Sequence, residues 1–219
     1  MSHKSIIIKT FMILSFLCFM VSTFDNIPTI EARQTSTLIE IHGQLYDEKS
    51  PFHPNTRYLD LEYVKKISKS KAPYNPVPLK NLQNYSLLHW NLTDEQLKQS
   101  YDMAVMLLEP CQNLKMEDKL RCVAAVLRRY FDRYMTYSTS APHWLDAYGF
   151  FILRSASCQG SACATGLCLN ILGISYEHVN HNQWTHQWAR VKVGNTYWIC
   201  DPYGLYVGPE LVPYKHPYF

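Results

Sequence analysis

The helical periodicity of this chain is confined to residues 93–172, and strand-like alternation follows it from residue 175. Helices first and neighbouring strands afterwards leave no alternating crossovers for a parallel sheet, so the order predicts an α+β fold. Thr93-Asp94-Glu95-Gln96 has the form of a capping box, with Leu97, Tyr101, Val105 and Leu108 behind it at helical spacing and Pro110 ending the run. A second helix is expected from about Glu117 to Tyr134. Leu120, Val123, Leu127, Tyr130 and Tyr134 form its apolar stripe, and Arg121, Arg128, Arg129 and Asp132 its wet face. A turn-rich stretch, Thr136 to Pro142, precedes a third helix from Cys158 to Leu172, stopped by Gly173. Ser175–Asn180, Thr185–Val193 and Thr196–Asp201 read as strands. The last two are joined by Gly194-Asn195, a glycine-first tight turn, which predicts an antiparallel sheet against the helices.

The earlier part of the chain has a different character. Lys4 and Lys9 precede an apolar run from Phe11 to Phe24, shorter than the ~20 residues of a membrane span, and small residues follow. Residues 1–32 therefore read as a secretory signal peptide, cleaved after Ala32 in preference to Thr23. An uncleaved anchor is the lesser alternative. Cys18 follows Leu17 rather than a small residue and is not read as a lipid attachment site. No stable membrane span is expected after processing, and the expected location is secreted or cell envelope. Residues 33–92 are expected to be irregular, because Pro51, Pro54, Pro73, Pro76 and Pro78 interrupt any long regular element, with one short strand at Thr37–His42. Lys65, Lys66, Lys69 and Lys71 read as a solvated basic face. Residues 93–219 are expected to form the remaining domain. With 47% apolar and 18% charged residues the chain is not globally disordered, and a formal net charge of +3 is far from a nucleic-acid binder's excess.

The Gly194-Asn195 turn sets a register in which His186 lies opposite Tyr203 and Asp201 opposite Trp188. His186 and Asp201 then share a face as diagonal neighbours, close enough for a carboxylate to orient an imidazole. Cys158 opens a helix, where unpaired amides and the helix dipole favour a thiolate. A cysteine at a helix start with His and Asp downstream on strands supplies a nucleophile, its base and its orienter. Each also has a plain reading: a buried apolar cysteine, and a surface His/Asp pair.

The wording around these residues resembles the transglutaminase-like superfamily. Asp146-Ala147-Tyr148-Gly149, Ser157-Cys158-Gln159-Gly160-Ser161-Ala162 and Asn170-Ile171-Leu172-Gly173-Ile174 are similar to the core of its bacterial exported members. His186-Gln187-Trp188 matches the family's His-Ala-Trp, and Trp198-Ile199-Cys200-Asp201-Pro202 its Trp-x-x-Asp-Pro. The resemblance covers roughly Leu120 to Pro202. It implies a papain-like/transglutaminase-like core with the nucleophile at the N-terminus of a helix packed on an antiparallel sheet. It also implies a catalytic triad of Cys158, His186 and Asp201. Ser161 departs from the usual aromatic, Gln187 from alanine, Ser157 from valine, and Ser155-Ala156 from a glycine-like turn. The implied chemistry is thiol acyl transfer on a peptide or protein amide, with a cell-envelope substrate among the candidates. Water rather than an amine is expected to resolve the thioester; protein cross-linking and a non-catalytic binding module are the alternatives. Trp144 and Tyr148 are candidates for the second oxyanion donor, with core packing the default for each.

No cofactor or metal is expected. Cys158, Cys163 and Cys168 recur every five residues, which scatters them around a helix rather than forming zinc-ligand spacing. Cys200 is expected in the core, and His178 and His181 are read as ordinary polar residues. Cys111 and Cys122 bracket the turn between the first two helices; two separate thiols are the default, and a disulfide the alternative in an exported protein. Asn84-Tyr85-Ser86 and Asn91-Leu92-Thr93 are glycosylation acceptors only in a host that glycosylates. The papain wording Cys-Gly-Ser-Cys-Trp and the cell-wall-peptidase wording Asp-Cys-Ser-Gly are both absent.

Overall fold

The computed structural model describes residues 74–219, together with the backbone of a hairpin formed by β1 (Leu38–Ile41) and β2 (Gln44–Asp47). Strand β1 falls within the stretch expected at Thr37–His42, and Ile41 pairs with Gln44 across the hairpin. The expected signal peptide and the lysines of 65–71 lie outside the described residues.

Part of the stretch expected to be irregular is helical. Helix α1 (Tyr85–His89) is five residues long, too short for periodicity to reveal or for propensity to sustain. Tertiary contacts hold it instead. The Asn84 amide donates to Asn170 Oδ1 at 2.7 Å, Asn170 Nδ2 donates to Asn84 Oδ1 at 2.9 Å, and Leu88 and Leu92 are buried. Helix α2 (Asp94–Leu108) begins with the expected reciprocal cap between Thr93 and Gln96.

Helix α3 (Met116–Tyr134) buries Leu120, Val123, Leu127 and Tyr130 as expected. Arg128 departs from the expected wet face. Its side chain is buried, ion-paired with Asp132 one turn on, and donates to the Tyr203 carbonyl at 3.3 Å. A guanidinium can be buried where its fork is fully engaged, and a helical wheel cannot show a carbonyl supplied 75 residues later. Cys111 and Cys122 are joined by a disulfide, which corrects the default of two thiols. The turn between α2 and α3 brings their Cα atoms to 5.4 Å, within bonding range.

Strands β3 (Thr136–Tyr137) and β4 (Ser155–Ala156) pair in parallel, and β4 leads into helix α4 (Cys158–Ile171). A four-stranded antiparallel sheet follows, with β5 (Glu177–Val179), β6 (Trp188–Val193), β7 (Thr196–Asp201) and β8 (Tyr206–Pro209) in sequential order. The molecule is thus α+β. Val193 pairs with Thr196 and Ala189 with Cys200, the register the turn demands. The described ladder stops there, so residues 185–187, expected as strand, form a loop before β6.

Helix α4 is the structural axis. It packs against α2 and α3 and against β6, and of its fourteen residues all but Cys158 are buried. A helix buried all round must be made of small or apolar residues where neighbours approach closely. Gly166 shows this most sharply: a Cβ there would lie 2.0 Å from the Tyr176 ring. Gly166→Ala is expected to destabilise the fold by about 1–3 kcal/mol through overpacking. Urea unfolding measures this, and an unchanged midpoint would contradict the packing.

Candidate active site

The start of α4 is built to present Cys158. Ser157 is the N-cap, and its Oγ accepts from the Gln159 amide at 3.2 Å. Its own amide donates to the Trp144 carbonyl at 2.9 Å. This pins the first turn, whose leading amides have no partner within the helix. Cys158 is partly exposed, whereas the other thiols among the described residues, Cys163, Cys168 and Cys200, are buried and have their thiol pKa pushed up by that burial.

His186 and Asp201 meet beside it. Nε2 of His186 lies 2.5 Å from Asp201 Oδ2, and both side chains are more than nine-tenths buried. The Gly204 amide donates to the other carboxylate oxygen, Oδ1, at 2.9 Å. Burial works against the imidazolium, but the Asp201 charge and hydrogen bond, joined by a hydrogen bond with Cys158, overcome it and push His186 up to about 9. For Asp201, burial works against the carboxylate, and the charge and hydrogen bond of His186, with the nearby His216 ring, reverse it, holding it below the usual carboxylate range. Since Nε2 faces Asp201, Nδ1 is the nitrogen left for the Cys158 sulfur. The structure therefore brings Cys158, His186 and Asp201 together, although they are 28 and 15 residues apart in the chain.

The loop that carries His186 is wired from beneath. Asn180 and Asn182 adopt positive φ, which asparagine tolerates, and Asn180 Nδ2 donates to the His186 carbonyl at 2.9 Å. Gln187 donates to Gln159 Oε1 at 3.0 Å and to the Gln183 carbonyl at 2.9 Å, and its own oxygen faces His178 Nε2 at 2.9 Å. With both amide protons of Gln187 committed, its oxygen accepts, which puts the His178 proton on Nε2. Burial first, then the neighbouring His181, lowers the His178 pKa to about 4, so this ring is neutral at neutral pH. His178 therefore has a defined place in the wiring that its spacing did not disclose.

A cleft of about 400 Å³ opens over Cys158, walled by Tyr137, Trp144, Trp184, Tyr203 and Phe219. Apart from His186, none of the described residues lining it has a basic or carboxylate side chain. Of the two oxyanion candidates Trp144 lines this cleft, whereas Tyr148, which packs edge-on against His143, does not. His216 and Phe219, unmarked by any sequence motif, lie against the His–Asp pair.

His186, Asp201 and His216 place three donor atoms within 4.8 Å of one another, a separation compatible with metal ligation. The Tyr218 amide, however, donates to His216 Nδ1 at 3.2 Å, which leaves the His216 proton on Nε2, facing Asp201. A metal there would have to displace that proton, whereas the trio as it stands sets two imidazoles against one carboxylate.

No protein-family model matches the chain, and no curated protein matches it. Gly204 is a further site residue that motif reading passed over. A Cβ there would lie 2.2 Å from Asp201 Oδ2 and 2.9 Å from His186 Nε2. Gly204→Ala is expected to part the pair and slow iodoacetamide labelling of Cys158 at pH 7 by about tenfold or more, the scale of one lost charge-assisted contact. A rate equal to wild type would show that the pair does not govern the thiol.

Proposed function

We propose that this chain is an exported, transglutaminase-like cysteine enzyme with a papain-like/transglutaminase-like core, which cleaves amide or peptide bonds through a thioester. The observation that supports it is the His186–Asp201 pair, hydrogen-bonded at 2.5 Å, lining an open cleft together with Cys158 at the start of α4. In this reading the Cys158 thiolate attacks the amide carbonyl, and the Cys158 amide at the helix start helps hold the oxyanion. The imidazolium of His186 gives its proton to the departing nitrogen, and the C–N bond breaks to leave a thioester on Cys158. His186, now neutral, takes a proton from water, whose oxygen attacks the thioester. The acid leaves and the thiolate–imidazolium pair is restored. Asp201 orients the ring and stabilises its charged form throughout.

Hydrolysis is favoured over cross-linking on concentration alone. Water is present at about 55 M, and an amine competes only when a built groove raises its effective molarity. Peptide or protein substrates, including those of the cell envelope, fit a cleft with mixed aromatic and amide walls. The proposed export rests on the N-terminal sequence pattern.

The test is a glutamine-containing peptide library incubated with and without a labelled primary amine, analysed by mass spectrometry. Deamidated or cleaved products that disappear in Cys158→Ala, and fall by about 10²–10⁴-fold in His186→Ala, are expected. Cys158-dependent amine conjugates exceeding those products would favour transglutamination. No Cys158-dependent product of either kind would favour a binding module.

A further inference from the structure

Residues 210–219 run from a firm anchor to the base. At the anchor, Arg190 Nε contacts both carboxylate oxygens of Glu210 at 2.9 and 2.7 Å, and Nη1 donates to Glu177 at 2.8 Å. The same guanidinium lies between the rings of Tyr197 and Tyr214, 3.4 and 4.3 Å from their centroids. The Tyr214 amide donates to Glu210 Oε1 at 2.9 Å, so the segment turns on this point. From there it returns over the active site. The His216 side chain is fully buried, with Nε2 3.2 Å from Asp201 Oδ2 but outside hydrogen-bond alignment. The Phe219 ring stacks on His186, centroids 3.7 Å apart and planes 24° from parallel.

Phe219 therefore has two working sides. One covers the imidazole and the other lines the cleft, the residue as a whole being 53% exposed. We propose that Phe219 and His216 are positioning residues, and that residues 210–219 form a cover keeping water off the His186–Asp201 pair and fixing the imidazole against Cys158. The proposal rests on His186 being the base of Cys158. Attraction within an ion pair is strong where water is excluded and weak where it is not. A flat ring stacked on the imidazole excludes water from that face without competing for its protons. His216 fills the edge beside Asp201 with a polar N–H where an apolar side chain would leave the carboxylate less well stabilised.

Among the described residues, the titratable side chains facing His186 are Cys158 from α4, Asp201 from β7, His216 from the cover and Tyr203 from the turn after β7. Tyr137 of β3 stacks on Tyr203, and Arg128 of α3 donates to the Tyr203 carbonyl. Of these, Asp201 contributes the largest upward influence on the ring, and the cover controls how far water screens it.

The test follows the His186 ring by NMR on the full chain, its resonance assigned by its loss in His186→Ala. Wild type is expected to titrate near 9. Phe219→Ala, at a half-exposed position, is expected to lower that midpoint by about one pH unit, because an exposed pair sustains a far smaller shift than a covered one. Phe219→Tyr, which keeps the stack, is expected to titrate as wild type, and Phe219→Leu to fall between. An elevated wild-type midpoint unchanged in both Phe219→Ala and Phe219→Leu would overturn the cover while leaving the proposed catalytic role of His186 standing. A wild-type midpoint near 6.5 would overturn both.

Discussion

A nearly dry imidazolium–carboxylate pair is the constraint around which the functional end of this molecule is organised. His186 and Asp201 are both more than nine-tenths buried, and charges removed from water are tolerated only when closely paired and further hydrogen-bonded. The surrounding structure supplies those conditions. The Gly204 amide satisfies the second carboxylate oxygen, and the missing Cβ of Gly204 leaves room for the pair to close. His216 borders one edge of the pair, Phe219 one face of the ring, and Trp188 lies parallel to it at 5.9 Å. The ion pair in turn needs a fixed partner, and α4 provides one: a helix held on all sides, with only its first residue reaching the surface.

One departure from the wording of the family that the sequence resembles takes on physical sense in this frame. Gln187 stands where alanine is usual, and its amide ties the loop bearing His186 to Gln159, the residue after Cys158. The loop of His186 and the first turn of α4 are thus linked by side chains that line the cleft. Ser161, where an aromatic is usual in the family that the sequence resembles, lies buried in α4, with no hydrogen-bond partner for its hydroxyl. No feature of the structure explains that choice.

The fold is legible in the sequence wherever the determining contacts are local. The Thr93–Gln96 cap, the apolar stripe of α3, the extent of β7 and the Val193–Thr196 register all depend on residues close in the chain. The hairpin register also carried His186 and Asp201 to neighbouring positions, though by a route the structure modifies: His186 sits in a loop ahead of β6, set by Asn180 and Gln187 rather than by ladder pairing. What the sequence did not disclose depends on distant partners. Helix α1 exists because Asn84 meets Asn170, Arg128 is buried because Tyr203 offers a carbonyl, and β8 forms because Asp201 pairs with Tyr206. His216 and Phe219 belong to the same class: nothing in Tyr214-Lys215-His216-Pro217 signals contact with a histidine 30 residues earlier.

The proposed chemistry comes down to whether Cys158 becomes acylated under the control of His186. An activated ester such as p-nitrophenyl acetate reports this without knowledge of the natural substrate. Acid-quenched protein analysed by intact and peptide mass spectrometry should show an initial burst of p-nitrophenol matched by one acetyl group on Cys158. That group should be released by hydroxylamine, as a thioester is, and its formation should be much slower in His186→Ala. Equal acetylation of Cys158 with and without His186, or a burst that persists in Cys158→Ala, would contradict the account.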